Sequence, residues 1–239
     1  MKRFFKIILF NLHLVVYYTI TMHKYSKSKN VTNEFKYDYA RKIVHLVTRK
    51  SKTKVLYYGL DNIPSDSGYL MLSNHQGKFD ALGIIESHNK PLSVVIEKKV
   101  CTNPLLNNFL ALTDSVILDK ENLRSVAKSF KHIENEIVKG KNYLIFPEGK
   151  YDDNHNELQD FQTGCLKFLY KTKSTIVPIC LYDTYKVFGT NSLKPVTCEI
   201  HYLAPILYSE YKDLSKVELA ELVKSRIQEK LDEIKKRKD

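Results

Sequence analysis

Residues 69–80 read YLMLSNHQGKFD: four large apolar residues, a polar turn containing Gly77, and Asp80 ahead of the apolar stretch Ala81 to Ile85. An unbroken apolar run without alternation suits a strand buried on both faces. Ser73 to Gly77 carry turn chemistry, and Asp80 stands where a helix over 80–86 begins. The same pattern recurs outward along the chain. Short apolar runs predict strands over 55–58, 93–96, 116–118, 143–146, 175–181 and 197–202, with Gly, Pro and Asn at the joints. Helical spacing predicts helices over 104–112, 123–138, 162–170 and 216–236. Asn122 caps the second of these, Gly140 ends it, and Ser215 with Glu218 forms a capping box for the last. The expected fold is α/β, a mixed, largely parallel sheet covered by helices on both faces. The C-terminal Lys235-Lys236-Arg237-Lys238 run is expected to fray into solvent.

Charge divides the chain. Residues 1–60 hold 13 Lys and Arg against only Glu34 and Asp38, so the whole net charge of +11 sits there, and beyond it 25 basic residues balance 25 acidic ones. Nucleic-acid binders place basic residues on the folded domain, so this neutral domain argues against that class. A length of 239 residues suits one α/β domain, 53–239, behind a membrane-associating segment, 1–52. Residues 4–22 read FFKIILFNLHLVVYYTITM, one helix with Lys2, Lys6 and His13 along a narrow stripe. Such a helix lies in a membrane interface with its stripe toward water. A crossing takes about 20 apolar residues, and Asn11 and His13 would then sit near the bilayer centre. No small-residue cleavage site follows, which disfavours a secretory signal, and Lys24, Lys27 and Lys29 assign the following domain to the cytoplasmic side. A polar linker leads to a second basic helix over 37–49, with Ile43, Val44, Leu46 and Val47 on its apolar side. Near an anionic leaflet each basic residue gains on the order of 1 kcal/mol.

The chemistry starts in the quoted loop. An aspartate accepting from one ring nitrogen of a histidine fixes its tautomer and leaves the other nitrogen as a base. His75 and Asp80 are spaced to meet in this way across a strand-loop-helix junction. A positioned base of this kind contributes about 100- to 10,000-fold. An isolated H-x4-D is more often a helix cap, so company decides. Phe146-Pro147-Glu148-Gly149 follows the apolar run Tyr143 to Ile145, at a strand's carboxyl end where open α/β sheets contact ligands. Val177-Pro178-Ile179 reads as a buried strand interrupted by proline.

In this order and spacing the chain, over about 55–205, resembles the glycerol-3-phosphate and 1-acylglycerol-3-phosphate acyltransferase family. The resemblance implies that His75 and Asp80 are the catalytic pair, that Asn74 beside them binds substrate, and that Phe146, Pro147, Glu148 and Gly149 contact the acceptor. Val177 to Ile179 and Phe161-Gln162-x-Gly164 also match family segments. Departures accompany the matches. Gly77 stands where the family commonly has serine, Lys120 where it has a phosphate-contacting arginine, and Tyr151 where it has a second arginine, with Lys150 one place early. Lysine keeps the charge and loses the bidentate fork. Either Lys120 and Lys150 jointly hold the acceptor's phosphate, or the acceptor is another lysolipid. The implied reaction is direct transfer from an acyl thioester, acyl-CoA or acyl carrier protein, to a lysophospholipid hydroxyl at the cytoplasmic face of an anionic membrane.

No G-x-S-x-G elbow, metal-ligand spacing, P-loop or dinucleotide fingerprint is present, so neither a metal nor a resident cofactor is expected. Cys101, Cys165, Cys180 and Cys198 form no C-x-x-C pair and read as free thiols of a reducing compartment. Cys165, on an expected helix, reads as structural rather than as an acyl carrier. Two other classes stay open. A thioesterase-like or remodelling enzyme would use the same pair with water, and a noncatalytic basic protein would bind membrane or nucleic acid through residues 1–52.

Overall fold

The apolar runs of the sequence become the strands of one sheet. A computed structural model describes residues 2–152 and 154–238. The chain opens with helices α1 (Lys2–Phe10), α2 (Leu12–Lys27) and α3 (Asn33–Lys50). Strand β1 (Thr53–Tyr58), strand β2 (Leu70–Ser73), helix α4 (Asp80–Ser87), strand β3 (Leu92–Glu97), helix α5 (Pro104–Leu112) and strand β4 (Val116–Leu118) follow. Then come α6 (Leu123–Ile137), β5 (Asn142–Ile145), α7 (Leu169–Thr172), β6 (Ile176–Tyr182), α8 (Tyr185–Phe188), β7 (Val196–Tyr202), α9 (Tyr208–Tyr211) and α10 (Lys216–Lys238).

The strand order is β1-β7-β6-β2-β5-β3-β4. From β6 to β4 all neighbours are parallel; β7 runs antiparallel to β6, and β1 parallel to β7. The sheet is thus mixed and largely parallel, with β2 at its centre. Its residues alternate between two cores, as a two-residue side-chain period requires. Leu70 and Leu72 join Tyr143, Ile145, Ile176 and Cys180 on one face, covered by α6 and α10. Tyr69 and Met71 join Leu144, Val177, Ile179 and Leu181 on the other, covered by α3, α4 and α5.

Several expectations meet a different arrangement. The single helix over 4–22 is two helices bent by 85° at Asn11, and among the described residues no one helix is long and apolar enough to cross a membrane. The Asn11 side chain donates to the Ile7 carbonyl at 2.8 Å, competing locally with the helical ladder. Each half is also held separately. The buried Arg3 guanidinium donates to the carbonyls of Lys186, Val187 and Lys194, whereas α2 is tied to α5 through Asn108, which donates to the Thr19 carbonyl at 3.1 Å. The stripe of Lys2, Lys6 and His13 therefore does not run along one helix. In α3, Ile43 and Val44 are buried in the core with Tyr37 and Ala40, while Leu46 and Val47 are half-buried.

The helix expected over 162–170 is a 3₁₀ turn, Thr163–Leu166, and the short α7. Gln162 has an extended backbone, φ −77° and ψ 116°, with its N–H donating to the Pro147 carbonyl at 2.8 Å, and Gly164 weakens the helix further. Pro178 does not interrupt β6, because antiparallel pairing with β7 stops at Ile179↔Tyr202, one residue short of it. The basic C-terminal run does not fray. Arg237 Nη2 lies 2.5 Å and Lys238 Nζ 3.1 Å from the buried Glu199 carboxylate on β7. Packing still dominates α10. Leu219, Val223, Ile227, Leu231 and Ile234 are buried along one face, which contributes on the order of 10 kcal/mol against at most about 1 kcal/mol for each partly exposed ion pair.

Candidate active site

The parallel arrangement of β6, β2, β5, β3 and β4 brings five strand ends to one edge of the sheet. Beyond β2 the chain turns through Asn74, His75, Gln76 and Gly77 into α4, whose first residue is Asp80. His75 Nδ1 lies 2.8 Å from Asp80 Oδ2, and the same oxygen accepts the backbone N–H groups of Gln76 at 2.5 Å and Gly77 at 2.8 Å. Thr184 donates its hydroxyl to Asp80 Oδ1 at 2.7 Å. Asp80 is completely buried, and a carboxylate in that position persists only when hydrogen-bonded, as this one is. With Nδ1 committed to Asp80, Nε2 is the ring nitrogen left to act, and among the described residues nothing hydrogen-bonds to it.

The end of β5 supplies the wall beside the imidazole. Phe146 stacks on the His75 ring with centroids 4.2 Å apart, and Tyr151 meets it edge-on at 4.7 Å. Tyr151, which stands where the resemblance leads one to expect arginine, thus packs against the histidine. Glu148 is buried; its Oε2 accepts from Gln159 Nε2 at 2.9 Å while Oε1 has no partner. Burial pushes this carboxyl up to about 7, partly offset by the backbone N–H of His75 and by Gln159. Gly149 turns with φ of +74°, and a Cβ there would come within 2.4 Å of the Gln162 amide. Any other residue would be strained at that φ and would push this contact apart.

The remaining expected site residues are placed as follows. Lys120, just past β4, donates to the Gly149 carbonyl at 2.6 Å and lies 3.3 Å from Glu97, at the end of β3. It joins the Phe146-to-Gly149 turn, with its charge already paired. Lys150 is exposed and pairs with Asp152 at 2.8 Å. Asn74 is buried, and both ends of its amide are taken by Leu181: Nδ2 donates to the carbonyl at 3.0 Å, and Oδ1 accepts the N–H at 2.8 Å. Asn74 therefore fastens the loop to β6.

Residues not singled out from the sequence complete the site. Gln76 Nε2 donates to Asn156 Oδ1 at 2.9 Å and to the Leu181 carbonyl at 3.0 Å, while Oε1 accepts the Thr184 N–H at 3.0 Å. Asn156 in turn donates to Asp183 at 2.9 Å. Asp183 and Thr184 follow the end of β6 directly, so their place at a strand's carboxyl end was the available signal. A cleft of about 200 Å³ opens beside the loop, lined among others by Gln76, Gly77, Tyr151, His155, Tyr185 and Phe188. A larger hollow of about 350 Å³, which includes Ser67, Pro91, Asp114 and Asn142, lies at the amino ends of β2, β3 and β5, the edge away from this chemistry. Cys165 is buried, and its thiol is pushed up to about 12, which leaves it inert.

Residues 54–182 match the family model described as Acyltransferase. The 1-acyl-sn-glycerol-3-phosphate acyltransferase of Borreliella burgdorferi is 27% identical over 187 residues, covering 76% of this chain and 73% of that protein. The "Probable 1-acyl-sn-glycerol-3-phosphate acyltransferase" of Mycoplasma pneumoniae is 27% identical over 157 residues, 64% of this chain and 58% of its own length. The crystal structure of the 1-acyl-sn-glycerophosphate (LPA) acyltransferase PlsC from Thermotoga maritima superposes with a TM-score of 0.75 over 96% of this chain and 98% of that one, at 18% identity, a likeness of fold. The matched segment contains the histidine-aspartate pair, the Lys120 strand end and the Phe146-to-Gly149 turn, and the chain belongs to the acyltransferase family.

Proposed function

We propose that the protein transfers an acyl group from an acyl thioester, carried by coenzyme A or acyl carrier protein, to the free hydroxyl of 1-acylglycerol-3-phosphate, yielding phosphatidic acid. The observation that carries this reading is the 2.8 Å contact between His75 Nδ1 and the buried Asp80 carboxylate at the carboxyl edge of the sheet. In the mechanism, His75 Nε2 takes the proton of the acceptor hydroxyl as its oxygen attacks the thioester carbonyl. The tetrahedral intermediate collapses, the carbon–sulfur bond breaks, and the imidazolium returns the proton to the leaving thiolate. Asp80 keeps the tautomer and stabilises the imidazolium. Phe146 and Tyr151 hold the ring's plane. Lys120 lies at the edge of the site, and an acceptor phosphate would reach it by competing with Glu97 for its charge.

The proposed setting is the cytoplasmic face of an anionic membrane. Phe5, Leu9, Phe10, Leu12, Val16, Tyr17 and Ile20 are all exposed on α1 and α2, among Lys2, Lys6, Lys24 and Lys27. An apolar patch this concentrated, rimmed with lysine, is the composition of an interfacial anchor. Purified protein supplied with oleoyl-CoA and lysophosphatidic acid is expected to release free thiol. His75→Ala should lower that rate at least about 100-fold with an unchanged circular-dichroism spectrum and melting temperature. Thiol release that persists in the variant would reject the assignment, and release without lysolipid would favour hydrolysis instead.

A further inference from the structure

We infer that Thr184 is a positioning residue for the reaction, holding the Asp80 carboxylate at the angle from which it orients His75; this rests on the reading of that pair given above. Asp80's two oxygens are loaded unequally. Oδ2 takes three donors, His75 Nδ1 and the N–H groups of Gln76 and Gly77, all from its own loop. Oδ1 takes the Thr184 hydroxyl and, among the described residues, no second donor. The three bonds at Oδ2 come from the loop; the bond at Oδ1 ties the other oxygen to the residues that follow β6, so the carboxylate is held at both ends.

The hydroxyl has one proton and two neighbouring acceptors, Asp80 Oδ1 at 2.7 Å and Gln76 Oε1 at 2.8 Å. Gln76 Oε1 already accepts the Thr184 backbone N–H, and the amide is fixed this way round because Nε2 donates to Asn156 Oδ1 and the Leu181 carbonyl. The proton therefore goes to the carboxylate, the stronger, charge-assisted bond. Thr184 is completely buried, and the turn that follows it is held by Arg3 through the carbonyls of Lys186 and Val187, so the hydroxyl is presented from a fixed backbone. The titratable groups that feel Asp80 are His75 on its own loop, Glu148 and Tyr151 beyond β5, and Cys198 on β7. Among the described residues, Oδ1 is hydrogen-bonded by none of them.

Thr184→Val keeps the branched shape and deletes the donor. Its kcat for thiol release from oleoyl-CoA with lysophosphatidic acid is expected to fall about 10- to 100-fold, with KM for both substrates within about twofold of wild type. A carboxylate that has lost one donor concentrates its charge on the imidazolium, so the acid limb of kcat should move to higher pH. Thr184→Ser, which restores the hydroxyl, should return both kcat and the limb. A merely structural threonine would change stability and leave the limb in place. If Thr184→Val does not fold, Thr184→Ala reads the same loss. If both fail to fold while Thr184→Ser is fully active, the hydroxyl serves stability and the assignment is rejected. It is equally rejected if Thr184→Val turns over normally, or if Thr184→Ser is as impaired as Thr184→Val. His75→Ala in the same assay separates the two levels: its inactivity beside an active Thr184→Val removes only the role of Thr184, whereas its activity removes the catalytic pair.

Discussion

Glu148 is a buried acid whose Oε1 has no partner and whose ionisation burial pushes up to about 7. A carboxyl that holds its proton more tightly when folded contributes stability below its unfolded pKa, and that contribution is lost as pH rises through about 7. Glu148→Gln should therefore melt higher than wild type at pH 8, by up to about 3 kcal/mol of stability, and no differently at pH 4. Identical melting differences at the two pH values would exclude this account. Glu148 itself was legible from its strand-ending turn, as were His75 and Asp80, because five positions across a strand-loop-helix junction bring two side chains within reach. Thr184 was not. Its bond to Asp80 spans 104 residues, and a contact between strand ends that distant leaves no spacing to read. Asn74 was legible as a site residue but not in its role, since only the neighbouring strand could show that Leu181 takes both ends of its amide.

The elements most clearly read were those with strong periodicity and local punctuation. Asn122 caps α6 by accepting the Ser125 N–H at 3.1 Å, and Ser215 and Glu218 close the capping box that opens α10. The elements misread were those decided by a partner. The break between α1 and α2 follows from two docking sites, Arg3 on the segment 186–194 and Asn108 on α2. Arg3→Ala should loosen α1 selectively, because it leaves three carbonyls without their charged donor, a loss of about 2 kcal/mol. Hydrogen exchange should quicken in α1 and in residues 185–194 and stay unchanged in α10. Uniform protection across these segments would rule out Arg3 as the tether. The 162–170 segment failed as a helix for the same kind of reason, Gln162 being held extended against Pro147.

At the scale of the molecule, one edge of the sheet gathers the candidate chemistry, and a bent pair of helices carries an exposed apolar surface with the basic excess around it. If that surface is the anchor, the protein should sediment with vesicles containing anionic lipid. Raising salt from about 0.1 to about 0.5 M should weaken binding at least tenfold, and Leu9→Ser with Phe10→Ser and Ile20→Ser should weaken it at either salt. Salt-independent sedimentation that the triple substitution leaves intact would sink the membrane reading. The positions of the strands, the chemistry of the His75 loop and the Phe146-to-Gly149 turn, and the N-terminal seat of the charge were determined by sequence alone, because each depends on residues close together in the chain. The strand order β1-β7-β6-β2-β5-β3-β4, the reversal of β7, the bend at Asn11 and the Thr184 hydroxyl on Asp80 were decided by tertiary structure. These arise from packing between segments far apart in sequence, where neither period nor spacing records which surfaces will meet.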